Sequence, residues 1–280
     1  MKRKEWAGQV ILALASLIGV VAFVYPFFLM SGEQAIPLDQ AMQLQEAPLL
    51  TILIVTLCLG AILATLGTGV MNAKMVAILG MLTAVNAVLR ALPGPAGFSA
   101  IFTLPILCGY VYGATFGFLL GSLSLLASAL IGGGIGPWLP YQMMAAGWVG
   151  MTSAWIPRLY RWPKLEVLAL GFWALVWGFL FGAIMNIWFW PYIFQPAQSE
   201  MYWAPGLSLG QVLQRYAVFY LFTSLWWDLA RAVGNAALTW LLAQPLLQLL
   251  RRFERRFHYE WTPIVSRSPS FRGAAAERDG

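Results

Sequence analysis

Leu49-Leu-Thr-Ile-Leu-Ile-Val-Thr-Leu-Cys-Leu-Gly-Ala-Ile-Leu-Ala-Thr-Leu-Gly-Thr-Gly-Val70 runs without a charged side chain. About 20 apolar residues in a helix span the roughly 30 Å hydrocarbon core of a bilayer. Outward from this stretch, similar runs recur at Ala7–Met30, Lys74–Leu92, Ala100–Tyr112, Thr115–Ile131, Leu139–Ile156, Val167–Trp190 and Tyr216–Leu241, giving eight candidate spans. Only the Tyr112-Gly-Ala-Thr115 step separates the fourth from the fifth. The 280 residues are 60% hydrophobic and 10% charged, against roughly 25% charged in a globular chain, and the charges cluster at chain ends and short connectors. No soluble fold fits; the expected class is an all-α integral membrane protein.

The net charge of +6 is read as cytoplasmic loop bias, and no nucleic-acid partner is expected. Cys58 and Cys108 fall inside apolar runs, which argues against a disulfide framework or a zinc site; no metal and no cofactor are expected. Met1-Lys-Arg-Lys before an apolar run resembles a signal sequence, but the run is long and no small-x-small pattern closes it before Ser31, so it reads as a retained first helix.

Lys2, Arg3 and Lys4, then Lys74, then Arg158, Arg161 and Lys164, then Arg251, Arg252, Arg255 and Arg256 all fall on one side if eight spans alternate. That side is the cytoplasm, which holds both termini of a multi-pass plasma-membrane protein. The loop from Ser31 to Pro48, with Glu33, Asp39 and Glu46 and no basic residue, suits the outside. Dropping one span would put a basic cluster outside.

Small residues recur four apart at Gly109, Gly113, Gly117 and Gly121, at Ala146, Gly150 and Ala154, and at Gly178 and Gly182. Such ridges let helix backbones approach closely in lipid. The tail turns polar after Leu246, and disorder is expected from about Ser266.

The outer connectors of the last six spans are Pro93–Ser99, Gly132–Pro140 and Pro191–Arg215. They combine Gly and Pro with Phe98, Trp138, Tyr141, Gln142, Trp190, Tyr192, Tyr202 and Trp203, the make-up of a site for a partly aromatic small molecule. The alternative for any single aromatic is the interfacial belt. Asn86, Arg90, Gln142 and Asn186 lie in the outer halves of their helices. They either line one outward-facing cavity or make interhelical hydrogen bonds, and Arg90 at its helix end can also snorkel. Asp228 and Arg231, three apart, share a helical face and read as a structural ion pair.

Catalysis is not expected. The only histidine, His258, lies in the cytoplasmic tail, Asp228 is alone within the spans, and neither a P-loop nor a dinucleotide fingerprint occurs. Interrupted spans repeated in inverted order, as in secondary transporters, are also not evident.

Gly-Pro-Trp-Leu-Pro-Tyr-Gln-Met at Gly136–Met143, with the Ala-Gly-Trp-Val-Gly that follows, and Trp-Asp-Leu-Ala-Arg-Ala-Val-Gly-Asn at Trp227–Asn235 carry a resemblance. From Asn72 to about Arg256 the chain resembles the substrate-capturing S component of energy-coupling-factor vitamin transporters. The resemblance implies a six-helix bundle that binds a vitamin from outside and delivers it by toppling in the membrane. Its partners are then a transmembrane coupling protein and two cytoplasmic ATPases, besides the vitamin and membrane lipid. Ala73 and Ala77 match the family's Ala-x-x-x-Ala contact with the coupling protein. The Gly-Pro-Trp-x-Pro-x-Gln loop is most similar to the branch associated with cobalamin or related corrinoids.

The expected organisation is therefore residues 1–71 as two extra transmembrane helices with an outer loop, 72–257 as the six-helix substrate-binding core, and 258–280 as a polar tail. The expected binding residues are Asn86, Arg90, Phe98, Trp138, Tyr141, Gln142, Asn186, Trp190 and Tyr192. The competing classes are a stand-alone secondary transporter, which wants polar residues along a path through the midplane, and a membrane scaffold with a basic lipid-binding tail.

Overall fold

Hydrocarbon offers no water to backbone N–H and C=O groups, so a chain in it closes its hydrogen bonds within helices or against other protein. The computed structural model describes residues 2–29, 40–68, 71–91, 94, 98–192 and 196–257, and every regular element among them is helical. In order these are α1 (Lys2–Leu29), α2 (Gln40–Thr68), α3 (Ala73–Ala91), α4 (Thr103–Tyr112), α5 (Ala114–Ser128), a π turn at Ala129–Gly133, and α6 (Leu139–Ser153). Then follow α7 (Pro163–Phe189), 3₁₀ turns at Trp190–Tyr192 and Pro196–Met201, α8 (Leu209–Thr223) and α9 (Leu225–Phe257). Residues 31–39 of the expected 31–48 loop and the whole 258–280 tail lie outside the described residues, while 40–48 is not loop but the first turns of α2.

Among the described residues six helical stretches are long and apolar enough to cross a membrane: Gly8–Phe28, Ala47–Gly67, Ala73–Ala91, Ala114–Gly133, Pro163–Tyr192 and Leu225–Arg255. The fourth and sixth spans differ from the full-length helices expected. With 10 residues in α4 and 15 in α6, they rise only about 15 and 22 Å. Both are buried among other helices rather than facing lipid, so nothing forces them to match the bilayer. The fourth span begins instead as non-helical chain at 98–102. There the Phe102 N–H donates to Asn235 Oδ1 at 3.1 Å, which satisfies irregular backbone inside the protein.

Gly113, at φ +98°, reverses the chain between α4 and α5, so Gly109 and Gly117 face each other across the hairpin. A Cβ added at Gly117 would lie 2.7 Å from Gly109 Cα, and a Cβ at either would strike the Gly150 carbonyl of α6. The small-residue ridges thus meet one another: α4, α5 and α6 interlock through bare backbone. On the far side α7 runs antiparallel to α9, with Gly178 against Ala232 and Gly182 against the Asp228 carboxylate.

The eighth span is corrected. Tyr216–Leu241 is not one helix: the chain breaks at Ser224 (φ −127°, ψ −31°), and α9 starts at Leu225 and extends to Phe257. A capping box starts α8, with the Ser208 hydroxyl accepting from the Gln211 N–H and the Gln211 side chain accepting from the Ser208 N–H. At its other end the Asn186 amide donates to Ser224 Oγ at 2.6 Å. Val212, Tyr216, Phe219 and Tyr220 turn inward at helical spacing while Leu209, Leu213, Leu221 and Phe222 stay exposed, so α8 is an amphipathic flank beside the bundle.

α1 and α2 form a hairpin laid against α5 and α6. Trp148 Nε1 donates to Ser16 Oγ at 3.1 Å, and a Cβ on Gly19 would press into Trp148 and Met144.

Candidate functional site

Along α3, Thr83, Asn86 and Arg90 are spaced i, i+3, i+7 and share one face. Arg90, in the last turn, reaches between helices. Its Nη1 donates to Ser128 Oγ at 3.0 Å and its Nη2 to Gln142 Oε1 at 2.9 Å. Both partners are neutral. The π turn wraps the guanidinium so closely that a Cβ at Gly133 would strike Arg90 Nη1 and lie 2.8 Å from Ser128 O. π turns inside helices are frequent at functional sites.

Below Arg90, Asn86 is fully buried and donates from Nδ2 to the Ile101 carbonyl at 3.2 Å. The 98–102 segment is tied in from both sides. Ser99 Oγ donates to Arg90 O at 3.3 Å, and Asn235 Nδ2 donates to Ser99 O at 3.0 Å. The Phe98 ring lies on Gly234 of α9 and on Gly94. Buried polar groups in lipid keep partners because an unmet one is costly, and this network binds α3, α6, α9 and the segment leading into α4 at one end of the bundle.

Of the residues expected to bind, the structure gathers Asn86, Arg90 and Gln142 and sets Phe98 beside them. Trp138 stands partly exposed at the rim with its ring over Gly136. Tyr141 is buried in a different contact, 5.1 Å from the Phe23 ring and 5.3 Å from Trp188. Asn186 is engaged with Ser224 rather than with Arg90. Trp190 joins Phe27, Tyr202, Trp203, Tyr216 and Phe219 in a separate aromatic cluster, where its Nε1 donates to Met201 O at 3.0 Å. Tyr192 is buried at the end of α7. Arg231 pairs with Asp228 and its guanidinium lies 5.3 Å from the Phe181 ring centroid.

Ser128, Ser99 and Asn235 take part in the Arg90 network although no role was read for them in the sequence. Asn235 closes the Trp227–Asn235 motif, and Ser128 is followed within one turn by the run of glycines; those positions were the available signals. A cavity of about 360 Å³ opens beside the same glycine turn, between Ala47, Pro48, Thr51 and Ile52 of α2 and Ile135–Pro137.

The opposite end has different chemistry. Tyr110 Oη donates to Glu166 Oε1 at 2.6 Å, Arg251 pairs with the same carboxylate, and the Leu159 N–H donates to Tyr110 Oη at 2.9 Å. Arg251 also stacks 4.3 Å from the Tyr160 ring centroid. This cluster ties the 154–162 loop to α4, α7 and α9. On α3, Ala73 and Ala77 are exposed, and at Gly80 an added Cβ would meet nothing within 4 Å. Among the described residues no group of His, Cys, Asp and Glu is placed to hold a metal.

A polytopic helical membrane protein, with a polar ligand-sized network at one end and a bare small-residue helix face at the other, is the class these features define. The family described as ECF transporter, substrate-specific component, matches residues 74–243, more than half of the chain, and the protein belongs to that family. No curated protein and no solved structure matches it. Membership makes the chain a transport protein's substrate-binding component that works with the membrane and ATPase components of an energy-coupling module. The match begins at Lys74, leaving α1 and α2 outside it.

Proposed function

We propose that the protein captures a vitamin from the outer side of the plasma membrane for an ATP-driven energy-coupling-factor importer, with cobalamin or a related corrinoid as the favoured cargo. The observation that carries the capture role is the Arg90–Ser128–Gln142 network, polar and partly open at one end of a bundle of apolar helices. The corrinoid preference rests on the Gly136–Met143 sequence. The Arg90 end is then outside. The Arg251 end and both termini are cytoplasmic, by the distribution of Lys and Arg. Asn86, Arg90, Phe98, Trp138, Tyr141 and Gln142, with Asn186, Trp190 and Tyr192 as supports of the outer connector, form the binding region.

Ala73 and Ala77 form the face for the transmembrane coupling protein: both are exposed, and small residues allow close helix approach. Residues 72–257 are the binding core, 1–71 an added hairpin and 258–280 a cytoplasmic tail. The test is the absorption and mass spectrum of the protein purified alone after growth with cobalamin. A stoichiometric corrinoid supports role and cargo together. Another bound vitamin keeps the role and changes the cargo. Protein that stays empty and binds no vitamin when titrated overturns the capture role.

A further inference from the structure

Three arginines stand at the outer end as assigned above. Arg231 carries Asp228, and Arg215 donates to the Ser199 and Tyr202 carbonyls outside the bundle at 2.9 and 3.1 Å. Among the described residues Arg90 alone of these is turned between helices, and there it meets a hydroxyl and an amide oxygen and no carboxylate. A half-buried guanidinium without a counter-charge is costly in lipid, and its planar fork of donors matches a carboxylate or phosphate.

Two independent observations point the same way. The backbone beside Arg90 is stripped of side chains: Gly132 and Gly134 adopt φ +129° and +84°. The Ile135 N–H, just past the π turn, finds no backbone acceptor among the described residues. Successive N–H groups in such a turn make a concavity for an anion. Deeper on the same face of α3, Asn86 Oδ1 and Thr83 Oγ1 are buried without a hydrogen-bond partner. Buried polar atoms are nearly always paired, so an acceptor left open four residues below Arg90, about 6 Å along the helix axis, is placed for a donor on a bound molecule.

Resting on the capture role proposed above, we infer that the ligand is recognised through an anionic oxygen group, a carboxylate or a phosphate ester, seated on Arg90 and the 132–135 turn, with a hydrogen-bond donor reaching Asn86. The anion replaces Ser128 and Gln142 as the partner of Arg90, which supplies the missing counter-charge.

The test uses the full chain in detergent and pairs of vitamins that differ in the anion: pantothenate and pantothenol, biotin and biotinamide, cyanocobalamin and dicyanocobinamide, riboflavin 5′-phosphate and riboflavin. Affinities are measured by isothermal titration for wild type, Arg90→Gln and Arg90→Lys, each checked for monodisperse elution. In the pair that binds, the anionic member is expected to bind at least about tenfold more tightly. Arg90→Gln is expected to shrink that ratio below about threefold, and Arg90→Lys, which keeps the buried cation, to hold an intermediate ratio. Should Arg90→Gln not elute as a folded species, the wild-type and Arg90→Lys ratios decide alone. Equal binding of both members by wild type, or a ratio unchanged in the variants, overturns the anion assignment and leaves the capture role standing. Binding only of a vitamin that carries no anionic oxygen group overturns this inference and leaves the capture role standing, whereas failure of wild type to bind any vitamin overturns both.

Discussion

Replacing Gly150 with alanine sets two opposed effects against each other, and the structure decides which is larger. In an open helix, Gly→Ala gains roughly 0.5–1 kcal/mol from backbone entropy. At Gly150 the new methyl has nowhere to go: it would strike the Gly117 carbonyl and lie 2.9 Å from Gly117 Cα, all of it backbone belonging to α5. No side-chain rotation relieves that contact, so α5 or α6 must shift, and overpacking a close-packed interior costs about 1–3 kcal/mol. Because Gly150 also seats Gly109 of α4, the shift loosens a three-helix contact, and the cost belongs at the upper end of that range, about 2 kcal/mol net. Gly60→Ala on α2 is the matched control, since an added Cβ there meets nothing within 4 Å. The assay is thermal unfolding in detergent, read as the fraction eluting at the native volume after heating. Gly150→Ala is expected to unfold several degrees below wild type, and Gly60→Ala at or slightly above it. A Gly150→Ala protein as heat-resistant as the Gly60→Ala control would refute the interlocked α4–α5–α6 packing.

Ala77→Trp projects a large ring from the exposed face of α3 and is expected to leave ligand affinity unchanged while abolishing ATP-dependent uptake in vesicles containing the coupling module; equal loss of binding contradicts the division of labour along α3. Gln142→Ala removes the amide that the anion frees from Arg90 to face the rest of the ligand, and Trp138→Ala removes the rim; each is expected to weaken vitamin binding by roughly tenfold, about 1.4 kcal/mol, as measured by titration. Glu166→Ala strands Arg251 and Tyr110 together. Because Arg251 is partly exposed, the loss is expected to be about 1–3 kcal/mol, visible as a lower unfolding temperature and as faster proteolysis of the 154–162 loop. Ser16→Ala deletes the hydroxyl that accepts from Trp148 Nε1 and leaves the indole packing in place; it is expected to cost about 0.6 kcal/mol, too little to release α1, so an α1–α2 hairpin that becomes protease-sensitive in this variant would mean that the bond was its main attachment.

Long apolar runs are legible because lipid imposes one rule on them, and α1, α3, α5 and α7 fall close to the limits set by their composition, whereas α2 starts at Gln40, nine residues before the apolar run. The same rule misled at Tyr216–Leu241. Apolar content continues smoothly across Ser224, yet α8 and α9 are separate, because the break is made by capping and by Asn186 rather than by a change in hydropathy. The signal was present in Ser208-x-x-Gln211, a capping box that marks a helix start eight residues before the apolar run. α4 was shortened for a related reason. Its first residues are apolar enough for a span, but Asn235, 133 residues away from Phe102, supplies the acceptor that lets the backbone there stay non-helical. The candidate site was legible in part for the same cause. Asn86, Arg90 and Gln142 stand out as polar residues in apolar surroundings, whereas Ser99 and Ser128 look ordinary until tertiary contacts bring their hydroxyls to the network, and Tyr141, expected at the site, packs instead on Phe23 and Trp188.

The position of Arg90 and Ala77 on one continuous helix bears on how binding could be communicated. α3 is straight-run helix from Ala73 to Ala91; its Arg90 end is anchored to α5 and α6, and its Ala73 end stands exposed. Under the proposed function, an anion that draws Arg90 away from Ser128 and Gln142 changes what holds the outer end of α3, and a rigid helix passes that change to the coupling face without any rearrangement between. The Tyr110–Glu166–Arg251 cluster fixes α4, α7 and α9 at the end opposite Arg90 but takes no residue from α3. This helix is therefore the element left freest at the face offered to the partner. The mechanism requires that ligand occupancy alter affinity for the coupling protein, and by linkage that the coupling protein alter ligand affinity by the same factor. Titration of one in the presence and absence of the other measures that factor, and a factor of one, with neither affinity changed by the other partner, would exclude α3 as a two-ended lever.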